Sequence, residues 1–211
     1  MKKTVALLLA VMMLLSVLSL TGCKKKENTA DATTASAQIP DDLIPYSLSA
    51  DGKPSSYYKN EYDDQNRLIR NYTYDLNGKL MGSTGYEYDE YGHEIRDVIY
   101  NEKDEITAQI VWEKTPEGLV TKRTDINKDG VVTRVIVTDY TEDNKESTIT
   151  EYDGNDNVVT KQTFEYDEDG NLVRDTMYKG DQIEYYITYV KDSEGNFVEY
   201  KYDGDGNLIS N

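Results

Sequence analysis

One short unit returns along this chain with almost constant spacing, and it leaves few folds open. Its fullest copy is Phe164 to Leu172, Phe-Glu-Tyr-Asp-Glu-Asp-Gly-Asn-Leu. Taking the last turn residue as a marker gives Asn66, Gly78, Gly92, Asp104, Gly118, Gly130, Asn144, Asp156, Gly170, Gln182, Gly195 and Gly206. The steps alternate between 12 and 14 residues until the last few, so the full repeat is 26 residues. All but Gln182 are Gly, Asn or Asp, the residues that tolerate positive φ. Four positions earlier stands a tyrosine in nine units, and the next residue is aspartate in seven: Asp63, Asp75, Asp89, Asp153, Asp167, Asp192 and Asp203. Such an aspartate opens a turn by accepting backbone N–H groups, and the left-handed residue closes it. Subtracting the turns leaves strands of roughly 8 to 10 residues, and strands joined by tight turns are antiparallel. The pattern predicts an all-β protein, a single extended antiparallel meander of tandem hairpins with about a dozen strands.

Alternation along each strand sorts the side chains into two faces. Leu80, Thr84, Tyr86 and Tyr88 fall together, as do Ile106, Ile110 and Trp112, then Val132, Ile136 and Tyr140, then Val158, Phe164 and Tyr166. Met81, Glu87, Ile95, Ile99, Val135, Val137 and Glu165 are expected on the opposite face. Neither face is as cleanly apolar as a sandwich requires. A basic residue also recurs with the repeat, at Arg70, Arg96, Lys122 and Arg174. Cross-strand pairing and stacking on tyrosine account for it, and a dedicated anion-binding stripe is the rival reading.

The units Tyr88-Asp89-Glu90-Tyr91-Gly92, Tyr166-Asp167-Glu168-Asp169-Gly170-Asn171-Leu172 and Tyr202-Asp203-Gly204-Asp205-Gly206-Asn207-Leu208 resemble the YD repeat of RHS-type bacterial surface proteins. The resemblance covers roughly residues 57 to 211 and implies strips of antiparallel sheet. MORN-like repeats, also hairpins rich in Gly and Tyr, are the second resemblance. Units around Lys114, Ile126 and Lys191 lack the tyrosine, and the chain is too short for the shells that long RHS proteins form around a toxin domain.

Ahead of the repeats the character of the chain changes twice. Residues 1–22 open with Lys2 and Lys3, continue as an apolar run from Thr4 to Leu20, and read as an export signal. Leu20-Thr21-Gly22-Cys23 resembles the lipobox of bacterial lipoproteins, which implies cleavage before Cys23 and lipid on its sulfur and new amino group. The alternative is a plain secretory signal with an incidental cysteine. Several acyl chains would hold the protein firmly at a membrane, since each buried methylene contributes about 0.8 kcal/mol. The expected location is the bacterial cell membrane or envelope, lipid-anchored and facing outside the cytoplasm. Cys23 is the only cysteine, so the exported domain has no disulfides. Residues 23–54, with Lys24, Lys25 and Lys26 followed by Thr, Ala, Ser and Asp, read as a flexible linker, and 55–211 as the repeat domain.

The net charge of −17 becomes −19 once Lys2 and Lys3 are removed, before counting termini. That disfavours nucleic acid as a partner, because phosphates would be repelled over most of the surface. Asp125-Ile126-Asn127-Lys128-Asp129-Gly130 resembles the start of an EF-hand calcium loop, with Asp125, Asn127 and Asp129 as candidate oxygen ligands. Ile136 stands where the bidentate acid belongs, and the segment is in register with the other turns, so turn chemistry competes with calcium. Tyrosine is abundant, at 19 against 2 Phe and 1 Trp, and Tyr86, Tyr88, Trp112, Tyr140 and Tyr166 are candidate surfaces for stacking on sugars. Rungs that stabilise neighbouring strands are the structural alternative. His93 is the only histidine, so a multi-histidine metal centre is excluded, as is a Cys-His site in the exported domain. The reading is a non-enzymatic envelope lipoprotein whose β-repeat surface binds glycan or protein partners and needs no cofactor. The alternative is a structural or assembly spacer with calcium in its acidic turns.

Overall fold

The structure is a computed structural model and describes residues 39–48 and 52–210. The predicted signal peptide, Cys23 and the start of the linker lie outside the described residues. The strands are β1 (Ile44–Leu48), β2 (Pro54–Tyr62), β3 (Leu68–Tyr74), β4 (Leu80–Tyr88), β5 (Glu94–Asn101), β6 (Ile106–Lys114) and β7 (Val120–Asn127). They continue as β8 (Val132–Tyr140), β9 (Glu146–Asp153), β10 (Val158–Tyr166), β11 (Leu172–Lys179), β12 (Gln182–Lys191), β13 (Phe197–Asp203) and β14 (Leu208–Ser210). All fourteen form one sheet in sequence order, and every neighbouring pair is antiparallel. This is the meander that the spacing predicts.

Eleven of the connections are built alike. In the first, Asn66 N–H donates to Asp63 C=O at 2.9 Å, closing a type I turn, and Asp63 N–H donates to Arg67 C=O at 3.0 Å. The residue between those two bonds is left-handed and unpaired, which makes a bulge and shifts the register between Glu61 and Tyr62. Asn66, Asp104, Asn144 and Asp156 hold this position at φ 60–64° without being glycine.

Three expectations need correction. The β11–β12 turn has its positive φ at Gly180, 61°, and not at Gln182. Only Gly180 and Asp181 separate the paired Lys179 and Gln182, a two-residue hairpin with glycine first, and the register shift falls inside the ladder, between Met177 and Tyr178, instead of at the turn. Ile99 lies directly opposite Thr84 and Ala108, on the face of Tyr86. Each bulge adds an unpaired residue, so parity counted across a turn changes face. The stretch assigned to the linker, 23–54, contains β1, whose Ile44, Tyr46 and Leu48 pair with Tyr58, Ser56 and Pro54. Pro45 sits on this outermost strand, where a missing N–H leaves no ladder bond unmade on the open side.

Among the described residues no second layer covers the sheet. Among the described residues Val98, 6% exposed, is the one buried hydrophobic side chain, joined by the polar Ser83 and Thr176. Stability therefore comes from the continuous hydrogen-bond ladder and from cross-strand side-chain pairs, each worth about 0.2–1 kcal/mol.

Candidate functional site

The turns form two margins of the sheet. Turns 63–67, 89–93, 115–119, 141–145, 167–171 and 192–196 alternate with turns 75–79, 101–105, 127–131, 153–157, 179–182 and 203–207. The residue opening a bulged turn uses one side-chain oxygen to hold the loop. Asp63 Oδ1 accepts the N–H groups of Gln65 and Arg67, both at 2.9 Å, and Asp203 Oδ1 those of Asp205 and Asn207 at 3.1 and 2.8 Å. Asn101 and Asn127 do the same, and Thr115 and Thr141 accept one N–H each. Asp, Asn and Thr are thus equivalent here, which a count of aspartates alone does not show.

These bonds favour the ionised carboxylate. Backbone amides hold Asp63, Asp75 and Asp192 below the usual carboxylate range. For Asp153, Asp167 and Asp203 the carboxamides of Asn157, Asn171 and Asn207 come first and the amides second. Asp89 is pushed up by burial, but the His93 and Tyr91 amides and the His93 ring outweigh this and lower it. His93 Nδ1 lies 3.2 Å from Asp89 Oδ2.

The three candidate calcium ligands point to separate partners. Asn127 Oδ1 is occupied by the N–H groups of Asp129 and Val131, both at 3.0 Å. Asp125, two residues earlier on β7, receives Arg123 Nε at 2.8 Å and faces Arg134 at 4.0 Å. Asp129 receives Lys128 Nζ at 3.0 Å. Among the described residues no three His, Cys, Asp or Glu side chains gather closely enough to hold a metal ion.

Of the candidate aromatic residues, three spend their hydroxyls on the fold. Tyr88 donates to Leu68 C=O at 2.7 Å, Tyr140 to Val120 C=O at 3.0 Å and Tyr166 to Glu146 C=O at 2.9 Å. In each case the acceptor is 20 residues back, at the start of a preceding strand. Burial pushes all three phenols up. Arg67 lies 4.8 Å from the centre of the Tyr88 ring and Lys145 5.1 Å from that of Tyr166, so a cation from one turn covers the tyrosine of the next turn on its margin. Replacing Tyr140 with phenylalanine keeps the ring and removes one hydrogen bond. It should lower the unfolding free energy by about 1 kcal/mol in a urea titration.

Tyr86 and Trp112 lie on one broad face. Tyr86 is opposite Asp97, and Trp112 is opposite Arg123, with Lys114 Nζ 5.8 Å from its ring centre. Asp97 is pushed up to about 6, first by burial and then by the charge and hydrogen bond of Glu94, with Arg123 and Lys114 pulling the other way. Its Oδ1 is buried without a hydrogen-bond partner. Beyond it Arg134 grips Glu151 with two bonds, at 2.8 and 3.0 Å. On the opposite face the recurring bases Arg70, Arg96, Lys122 and Arg174 stand directly across from Glu61, Glu87, Glu113 and Glu165. Arg70 also covers Tyr72 and Tyr100, and Arg174 covers Tyr186 at 4.1 Å. The series is cross-strand pairing and ring stacking.

One concavity was not foreseen. It has a volume of 290 Å³ and is lined by Tyr46, Ser56, Tyr58, Asn71 and Thr73, on β1, β2 and β3. The alternation Ser56-Tyr58-Asn60 against Asn71-Thr73 could have revealed it, but its outer wall is Tyr46, in the stretch read as linker.

The fold is that of a single-layer β-meander built from repeats, and solved structures contain similar strips. The crystal structure of TcdB2-TccC3-TEV aligns with a TM-score of 0.56 and 14% identity, covering 81% of this chain and 10% of that one. The chain thus spans about a tenth of that protein's length. The crystal structure of TcdB2-TccC3 aligns with a TM-score of 0.41, 13% identity and 81% and 12% coverage. A porin-like protein from Bacteroides uniformis aligns with 0.37, 17% and 66% and 55%. At such identities the first likeness shows a shared fold. No protein-family model and no curated protein matches the chain.

Proposed function

We propose that this chain is a non-enzymatic, lipid-anchored protein of the bacterial envelope whose open sheet binds wall glycan. The observation that carries the reading is the uncovered sheet, with Val98 the one buried hydrophobic residue among those described. A sheet this wide, with neither face covered by a second layer among the described residues, offers a long row of aromatic and polar side chains to an extended ligand. Aromatic rings stack on sugar faces while neighbouring polar groups bond to hydroxyls. Anchoring is argued from Leu20-Thr21-Gly22-Cys23, and the kinship with YD-type repeats from the Tyr-Asp-turn units and the shared strip of hairpins. Catalysis has no place in the reading, and neither does calcium, whose candidate ligands serve the turn and two ion pairs.

The test is co-sedimentation of the full chain, held in mild detergent, with purified cell-wall polysaccharide, in calcium and again in chelator. The protein should pellet equally under both conditions. Retention only in calcium would return the ion to the mechanism, and a protein left in the supernatant throughout would defeat glycan binding. A second reading, assembly through sheet edges, is favoured by the exposed Ile44 and Leu48 on β1 and Leu208 and Ile209 on β14. It predicts oligomers that grow with protein concentration in sedimentation velocity.

A further inference from the structure

We infer that the concavity between β1, β2 and β3 is the subsite of this sheet for an uncharged sugar residue of a glycan chain. The inference rests on the glycan-binding reading above and gives it a location and a ligand class.

Register brings the lining together. Tyr46 lies opposite Ser56, Tyr58 opposite Thr73, and Asn60 opposite Asn71, all on one face. The Tyr46 and Tyr58 rings stand edge to face, with centroids 6.0 Å apart and planes at 90°. One ring can therefore serve as floor and the other as wall for a pyranose ring. Tyr46 is 61% exposed, so its ring is available to a ligand. The volume of 290 Å³ is at the lower end of the roughly 300–1,000 Å³ typical of small-molecule sites, which suits one or two sugar units.

The polar groups are of one kind. The lining offers hydroxyls from Ser56, Thr73 and the two tyrosines, and a carboxamide from Asn71, with no charged side chain among them. That is unusual for a chain with 40 acidic and 23 basic residues. Lys59 and Glu61 alternate to the opposite face, so the neutrality follows from strand parity. The hydroxyls of Tyr46, Ser56, Tyr58 and Thr73 bond to no described residue, whereas the corresponding hydroxyls of Tyr88, Tyr140 and Tyr166 are spent on carbonyls. Asn71 Nδ2 donates to Asn60 Oδ1 at 2.7 Å, and Asn60 Nδ2 donates to Tyr62 Oη at 2.9 Å. This relay fixes the Asn71 carboxamide before any ligand arrives. Neutral donors and acceptors beside exposed rings recognise a hydroxyl-bearing ligand without a charge, and the acidic remainder of the surface repels anionic polysaccharide.

The test is calorimetric titration of the full chain in detergent with a neutral trimer of N-acetylglucosamine and with an anionic trimer of galacturonate. The neutral trimer should bind and the anionic one should not. Tyr46→Ala should weaken binding roughly tenfold and Tyr46→Phe by about twofold, since the ring contributes more than its hydroxyl. Thr73→Val, which keeps the shape and removes a hydroxyl, should weaken it several-fold with an unchanged melting temperature, so that loss of affinity is not loss of fold. If the trimer binds the wild type and affinity falls with Tyr86→Ala and Trp112→Ala but not with Tyr46→Ala or Thr73→Val, the subsite is overturned while glycan binding stands. If the wild type ignores the neutral trimer, the subsite is overturned, and pelleting with wall polysaccharide decides separately whether the wider reading survives.

Discussion

Gly154→Ala lowers the unfolding free energy by about 2–4 kcal/mol, a cost set by a backbone collision and not by turn conformation. A Cβ at Gly154 would sit 2.3 Å from Val132 O and 3.3 Å from Val132 C on the neighbouring strand. No side-chain rotation relieves that contact, so β8 or the turn must move and ladder bonds must lengthen. The turn itself accepts side chains at this position, since Leu76, Glu102 and Lys128 occupy it in three other turns of the same margin. Gly204 repeats the constraint, with Ile183 O 2.1 Å from its added Cβ. Gly130 supplies the contrast: it has φ +77° and nothing within 4 Å of an added Cβ. Gly130→Ala should cost about 1–2 kcal/mol, the penalty for an L-residue in the left-handed region. Gly130→Asn should cost less, because Asn66 and Asn144 already hold the equivalent place. Urea titrations of the three variants check the order. Equal midpoints for Gly154→Ala and wild type would contradict the close approach of turn 153–157 to Val132.

The same two kinds of constraint decide what could be read from residues alone. Turn chemistry is local, so Asp, Asn and Gly at fixed offsets announce the hairpins, their direction and the two margins without any tertiary information. Consequences of the bulge are not local. One unpaired residue per turn moves Ile99 onto the face of Tyr86, and strand parity counted through a turn misses this. Nor does spacing reveal that Tyr88, Tyr140 and Tyr166 reach carbonyls 20 residues earlier, since the acceptors belong to the backbone. Composition hides β1 as well: Pro45, flanked along the chain by Pro40 and Pro54, looks like part of a linker, yet an outermost strand needs partners on one side only. The neutral concavity depends on that strand, and so was invisible before it was placed.

Stability should pass through a maximum near pH 4, because two sets of carboxyl groups pull in opposite directions. The seven turn aspartates have folded pKa values below their ordinary 3.8. Their stabilisation is present above about pH 4 and is lost as the pH falls through their folded values, where the native state must take up protons that the unfolded chain already holds. Asp97 runs the other way. Its folded pKa is about 6 against 3.8 unfolded, so between those values the native state holds the extra proton and stability declines as pH rises. Above pH 6 both states are ionised and the cost stays constant. A rise from 3.8 to about 6 corresponds to about 3 kcal/mol at full burial, and the partial exposure of Asp97 reduces this to about 1 kcal/mol. Asp97→Asn should therefore remove the decline between pH 4 and 6 and raise the melting temperature at pH 7.5 by about 2–4 °C, while changing little at pH 3.5. Asp203→Asn should do the reverse: asparagine opens the turns at Asn101 and Asn127, so the turn stays intact while one acid-sensitive group disappears. Thermal melts of the three proteins from pH 3 to 8 separate these effects. A wild-type curve that rises monotonically to pH 7 would mean that Asp97 is ionised throughout, with Arg123 and Lys114 prevailing over burial and Glu94.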